Sequence, residues 1–208
     1  MPPKKGTPNR RGVARREQIL DAAVELFARH GYRGTGLLEL AERIGISHSG
    51  ILHHFGTKED LLRAVMARRD ELVDQATTDY AGKGIFGAQD LQTPTEPDIV
   101  IRLVTVLRAE NLDSEDPLHD YFDQRDQQTR GLIADEIRRG QQRGEIRSDI
   151  DAAAKAAEIV AVALGLETQW LLNPTLVDRS AILRSYLRAL RDDLTRPDAP
   201  RQQTETPK

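Results

Sequence analysis

Between Ile19 and Phe55 the chain carries three apolar helical periods separated by glycines, and the second and third are too short to stand alone. Ile19, Ala22, Ala23, Leu26 and Phe27 recur at three- and four-residue spacing, so they share one face of a helix running from about Val13 to a stop at His30-Gly31. After the loop Tyr32-Arg33-Gly34-Thr35-Gly36, the segment LLELAERI sets Leu37, Leu40, Ala41 and Ile44 on one face and is closed by Gly45. A third helix is expected from about Ser47 to Phe55, with Ile46, Ile51 and Phe55 turned inward. Helices of about two turns do not persist on propensity, because nucleation costs more than so few hydrogen bonds return. These two must therefore be held by packing. The spacing predicts a three-helix unit over residues 13–58.

Thr57, with Asp60 three positions on, then reads as an N-cap opening a fourth helix through Leu61, Leu62, Val65 and Met66 to about Tyr80. Gly82, Gly84, Gly87, Pro94 and Pro97 mark an irregular stretch with a short helix at most. Ile99 to Leu112 is periodic again, and Pro117 is expected to start a helix through Leu118, Phe122, Leu132, Ile133 and Ile137 that ends near Gly140 or Gly144. Asp149 or Asp151 caps a helix reaching Asn173-Pro174, and Leu176 to Leu194 forms the last. Nothing alternates like a strand, and 4% aromatic residues suit helices better than sheet. The expected class is all-α: an N-terminal helix-turn-helix domain at 13–58 and a larger C-terminal helical domain at 59–196 for ligand binding and dimerisation. A basic disordered arm at 1–12 and a flexible tail at 197–208 flank them.

No apolar run approaches the roughly 18 residues of a membrane span, so no membrane partner is expected. The start MPPKKGTPNRRG lacks the apolar middle of a secretory signal, and there is no cysteine, which points to a cytoplasmic address. The net charge of −3 hides an asymmetry: Met1–Lys58 holds ten Lys and Arg against five Asp and Glu, while the remainder holds twenty against twenty-eight. A basic first module on an acidic remainder is the footprint of a chain of which only the beginning approaches phosphate.

Two short helices joined by a tight glycine turn place the first across a DNA backbone and the second in the major groove. Facing outward on that second helix stand Ser47, His48, Ser49, Gly50, Leu52 and His53. They are slim, which lets a helix approach base edges, whereas a solvated helix would carry Glu, Lys and Gln there. The segment ILDAAVELFARHGYRGTGLLELAERIGISHSGILHHFGTKEDLLRAVM resembles the DNA-binding domain of TetR-family regulators. The likeness rests on Phe27, Gly31, Tyr32, Thr35, Leu40-Ala41, Gly45-Ile46-Ser47 and the closing His54-Phe55-Gly56-Thr57-Lys58-Glu59. It implies that Thr35 and Lys58 contact phosphates while the third helix reads bases. Lys58 has its own rationale, since a cation at a helix N-terminus is disfavoured unless an anion lies opposite, although a solvated lysine is the plain alternative. Two positions depart from the family's pattern. Leu52 stands where a tyrosine is common and packs on sugar, on a thymine methyl or inward; Gly36 stands where a serine or threonine is common and still caps the second helix.

The implied partners are a double-stranded DNA operator, a second copy of the chain and a small-molecule effector. Ile159, Ala163 and Leu166 on one helix, with Leu183, Tyr186, Leu187 and Leu190 on the last, form stripes that pair two chains as a four-helix bundle or bury within one. Leu103, Leu107, Phe122, Ile133, Gln169 and Trp170 are the candidate effector contacts, with ordinary core as the competing reading. Asp116, His119, Asp120 and Asp123 have a spacing that suits metal, but a solvated acidic helix start accounts for them. No phosphate-binding glycine motif or nucleophile elbow occurs; no catalytic residue, cofactor or metal is expected. The cations Lys4, Lys5, Arg10, Arg11, Arg15 and Arg16 either follow DNA or merely solvate the arm. Deleting Met1–Gly12 separates the two: a binding arm gives weaker operator affinity with a shallower salt dependence, and a solvating arm leaves the slope unchanged.

Overall fold

The computed structural model describes residues 10–78 and 98–195. Most of the basic arm, the glycine- and proline-rich stretch before Asp98 and the C-terminal tail lie outside them. Among the described residues the protein is all-helical, as expected. Its helices are α1 (Arg10–Gly34), α2 (Leu37–Ile44), α3 (His48–Phe55), α4 (Lys58–Thr78), α5 (Asp98–Glu110), α6 (His119–Gln142), α7 (Ala152–Leu172) and α8 (Arg179–Thr195). The chain divides into two compact units, one of Met1–Asp79 with Pro94–Asp123, the other of Tyr80–Thr93 with Gln124–Lys208.

In the first unit, Phe27, Ile19 and Leu20 of α1 are buried with Leu40 of α2, Ile51 of α3, Leu61, Leu62 and Met66 of α4, and Leu103 and Leu107 of α5. Each such side chain contributes about 1.5–3 kcal/mol on leaving water, which is what holds α2 and α3 in helical form. The boundary expected between residues 58 and 59 is therefore not a seam in packing. Leu61, Leu62, Val65 and Met66 belong to the same core as α1.

Helix α1 departs from expectation at both ends. It begins at Arg10, so Arg10–Gly12 form its first turn and not part of a loose arm. Arginine and alanine are good helix formers, and the turn that follows is anchored: Arg15 Nη1 donates to Ile44 O at 3.4 Å, and the Arg16 guanidinium lies 4.9 Å over the Phe55 ring. At the other end α1 does not stop at Gly31 but kinks there, with φ 74° and ψ 175°, and continues to Gly34. Only glycine occupies that backbone region readily.

The second unit closes around Ala134, Ile137, Ile146, Ala152, Ala156, Ile159, Leu187, Leu190 and Leu194. Asp151, not Asp149, caps α7, accepting from the Ala153 and Ala154 amides at 2.8 and 3.3 Å, because both Asp149 carboxylate oxygens are taken by Arg147 at 2.6 Å. Helix α8 starts three residues later than expected. Asn173 O draws the Leu176 and Val177 amides into a turn, and the Asp178 side chain accepts from Ala181 N at 2.9 Å.

Much of the stripe expected to pair two chains is buried within one. Ile159, Leu166, Leu187 and Leu190 are each less than 9% exposed within one chain, and Ala163, Leu183 and Tyr186 are half-buried. The branched residues at helical spacing fill the chain's own interior first, as apolar stripes do by default. Burial and the Glu158 carboxylate, which accepts from its hydroxyl at 3.4 Å, push the Tyr186 phenol up to about 12.

Gly31→Ala should destabilise the protein by about 1–3 kcal/mol from backbone strain alone. An unchanged urea midpoint would show that the kink is dispensable.

Candidate nucleic-acid interface

The turn between α2 and α3 is set by Gly45, which adopts φ 66° and ψ 43° and lets Ile46 N reach Ala41 O at 3.0 Å. Gly36 occupies the N-cap of α2 in extended conformation, as expected, and its carbonyl accepts from Leu40 N at 3.1 Å. Glu39 does not complete a capping box; it faces His30 Nδ1 at 3.4 Å. Ser47 caps α3, its hydroxyl accepting from Gly50 N at 3.1 Å and lying 3.0 Å from Ser49 Oγ. Arg43 is paired with Glu25, tying α2 back to α1.

Of the residues expected on the reading face, Ser47, His48, Ser49 and His53 are exposed. Leu52 is half-buried, so the inward alternative is partly realised. Gly50 is half-buried too, and a Cβ there would meet Ser47 Oγ at 3.3 Å and Ile46 at 3.7 Å. It packs against the turn and is not part of the outward surface. The His53 and His54 rings meet edge to face with centroids 5.7 Å apart. What α3 presents is thus short hydroxyls and imidazoles, able to donate to or accept from base edges, on a helix fixed from behind by Ile51 and Phe55.

The two expected phosphate contacts are placed differently. Thr35 is 1% exposed, and its hydroxyl donates to Gly31 O at 2.8 Å. That carbonyl is freed by the α1 kink, so Thr35 satisfies a backbone group inside the protein and is not available to phosphate here. Lys58 is the first residue of α4, next to a capping box in which Asp60 N donates to Thr57 Oγ1 at 3.0 Å and Thr57 N to Asp60 Oδ2 at 3.1 Å. Its Nζ lies 4.3 Å over the Tyr32 ring centroid, and the residue is half-buried. Burial holds the Lys58 ammonium below the usual lysine range, with Glu110 acting in the opposite sense. Burial also pushes the Tyr32 phenol up, with Glu59 adding to the effect.

Sequence reasoning missed Glu110, whose Oε2 accepts from Tyr32 N at 2.6 Å, and the ion pair of Arg33 with Asp116 at 2.5 Å. The periodicity around these residues carries no sign of a partner some eighty positions away. The only available signal was Gly31 itself, a glycine inside a helical run. Asp116 is committed to Arg33 and to the Asp113 amide, and among the described residues no group of three or more His, Asp or Glu could hold a metal.

Of the six effector candidates, three lie in each unit. Leu103, Leu107 and Phe122 sit in the core of the first unit, with Arg108 stacked 4.8 Å over Phe122. In the second unit Ile133 is half-buried, Gln169 exposed and Trp170 half-buried, its ring covered by the Arg179 guanidinium at 5.3 Å. Leu103 lines a cleft of about 410 Å³, floored by Val24, Val65, Ile99 and Val100 and rimmed by Asp21, Glu25, Arg68 and Arg69. Arg68 reaches Glu17 and Asp21, each at 2.9 Å, so its side of the rim is internally neutralised.

The family of bacterial regulatory proteins of the tetR type matches residues 19–65, and the C-terminal family of BetI-type transcriptional repressors matches residues 111–194, together more than half of the chain. A transcriptional repressor of Corynebacterium diphtheriae, AcnR, is 46% identical over 56 residues, which are 27% of this chain and 29% of that protein. The chain thus spans less than a third of that relative's length. The repressor KstR2 of Mycobacterium tuberculosis is 29% identical over 147 residues, covering 66% of this chain and 72% of its own. A solved structure assigned to a TetR-family regulator of Rhodococcus sp. superposes with a TM-score of 0.65 at 25% identity, over 88% of this chain and all of the other.

Thr35→Val should lower stability by about 1–2 kcal/mol, through loss of the bond to Gly31 O, while leaving the affinity of the folded protein for DNA unchanged. A phosphate contact would instead show as weaker DNA binding at unchanged stability.

Proposed function

Since the chain belongs to the TetR family of transcriptional regulators, we propose that it acts in the cytoplasm as a homodimeric repressor that leaves a palindromic operator when a small-molecule effector binds. The observation that carries this is α3: its slim polar face of Ser47, His48, Ser49 and His53 is exposed, while Ile51 and Phe55 bind the same helix to a buried core. A helix so held enters a major groove without reorganisation, and its exposed groups match the donors and acceptors found there.

Two copies are required to read a two-fold site, with recognition helices about 34–36 Å apart. The dimer surface is assigned to the parts of α7, α8 and the turn joining them that the core leaves outside. Leu172 and Leu176 are 82% and 80% exposed and Ile182 is 44% exposed, and Ala161 and Gly165 continue the same outer face of α7. Small and branched residues there permit close helix approach across a two-fold axis.

The effector is assigned to the cleft between α1, α4 and α5, whose apolar floor suits an apolar body. No catalytic role is part of this reading, and no described helix is long and apolar enough to cross a membrane.

Selecting genomic fragments with the purified protein should yield a two-fold duplex motif. His53→Ala should relax preference at one position of each half-site, at a cost of about 1–3 kcal/mol. A protein with no duplex preference at moderate salt contradicts the proposal. The dimer surface is tested by Leu172→Arg with Leu176→Arg, which should shift sedimentation from dimer to monomer and abolish two-fold binding; a dimer that survives both changes contradicts the assigned surface.

A further inference from the structure

We infer that Glu110 is a positioning residue for DNA binding: its carboxylate holds the kinked end of α1 and, by the same charge, keeps the Lys58 ammonium on the protein surface and away from phosphate. The inference rests on the reading of the chain as a DNA-binding regulator and adds to it a residue outside the helix-turn-helix.

The kink at Gly31 interrupts the helical ladder of α1, and the Tyr32 amide donates to Glu110 Oε2 at 2.6 Å. A Cβ at position 31 would lie 2.1 Å from Glu110 Oε1, so the carboxylate fills the space that only a glycine leaves open. Tyr32, its backbone fixed in this way, packs its ring on Phe27 with centroids 5.9 Å apart and carries Lys58 Nζ on the ring face. Lys58 stands in the first turn of α4, where the helix end itself repels a cation. Left to that local preference the ammonium extends outward, toward solvent or an anion. The Tyr32 ring and the Glu110 charge oppose this, and the lysine is accordingly folded back.

The helices that carry Lys58 and Glu110 also line the cleft, together with α1. Helix α4 contributes Val65, Arg68 and Arg69 to one wall, and α5, which ends at Glu110, contributes Ile99, Val100 and Leu103 to the other. A displacement of α5 against α4 therefore changes the distance from Glu110 to Lys58. Competition for one lysine links the cleft to the phosphate contact without any further machinery.

The test uses the full chain and a duplex that it selects. Glu110→Gln keeps an acceptor for the Tyr32 amide but removes the charge. It should melt within about 2 °C of the unaltered protein and bind the duplex about three-fold more tightly at moderate salt. In a Lys58→Met background the same substitution should leave affinity unaltered, because the residue through which it acts is gone. Glu115→Gln, which removes an exposed carboxylate from the turn after α5, reports the effect of charge alone and should give a smaller gain. An equal gain with and without Lys58, an equal gain from Glu115→Gln, or no gain at all overturns the inference. If the unaltered protein selects no duplex, the DNA-binding reading falls and takes the inference with it; if it selects one and these differences are missing, only the inference falls.

Discussion

The arrangement of the first unit depends on how the backbone groups freed at Gly31 are satisfied. A helix that turns sharply in mid-course exposes a carbonyl and an amide that a buried setting cannot leave unpaired. Here the Gly31 carbonyl accepts from the buried Thr35 hydroxyl and the Tyr32 amide donates to Glu110, so one partner comes from the start of α2 and the other from the end of α5. The kink thereby fixes where α2 begins. That in turn sets the direction in which α2, the Gly45 turn and α3 leave the core.

With that geometry in place, the rest of the interface follows from ordinary burial and capping. Ser47 and Thr57 begin α3 and α4 by accepting backbone amides, and Ile51 and Phe55 bind α3 to α1 and α4. The residues left outside are short enough for the helix backbone to approach a groove floor. In the proposed function, a basic first module would supply the sequence-independent attraction to phosphate and α3 the discrimination.

Much of this was legible in the amino-acid sequence. The bounds of α2, the caps at Gly36 and Thr57 and the inward set Leu40, Ala41, Ile51 and Phe55 follow from period and punctuation, which are local properties. What escaped was non-local. Thr35 reads as a surface hydroxyl until the kink beside it requires a donor, and Lys58 reads as an outstretched cation until Tyr32 is folded beneath it. The stripe of Ile159, Leu187 and Leu190 has the same spacing whether it meets its own chain or a second one, and periodicity cannot tell which. Glu110 carries no local signature at all, because its partner is a backbone amide brought to it by tertiary structure.

The central claim is that α3 reads the major groove, twice, on one duplex. Dimethyl sulfate interference on a selected duplex measures this directly, since the reagent modifies guanine N7 on the groove floor. The account predicts interference in two patches about ten base pairs apart, related by two-fold symmetry and lost when His53 and His48 are replaced by alanine. A single patch, or interference indifferent to those two histidines, would contradict it.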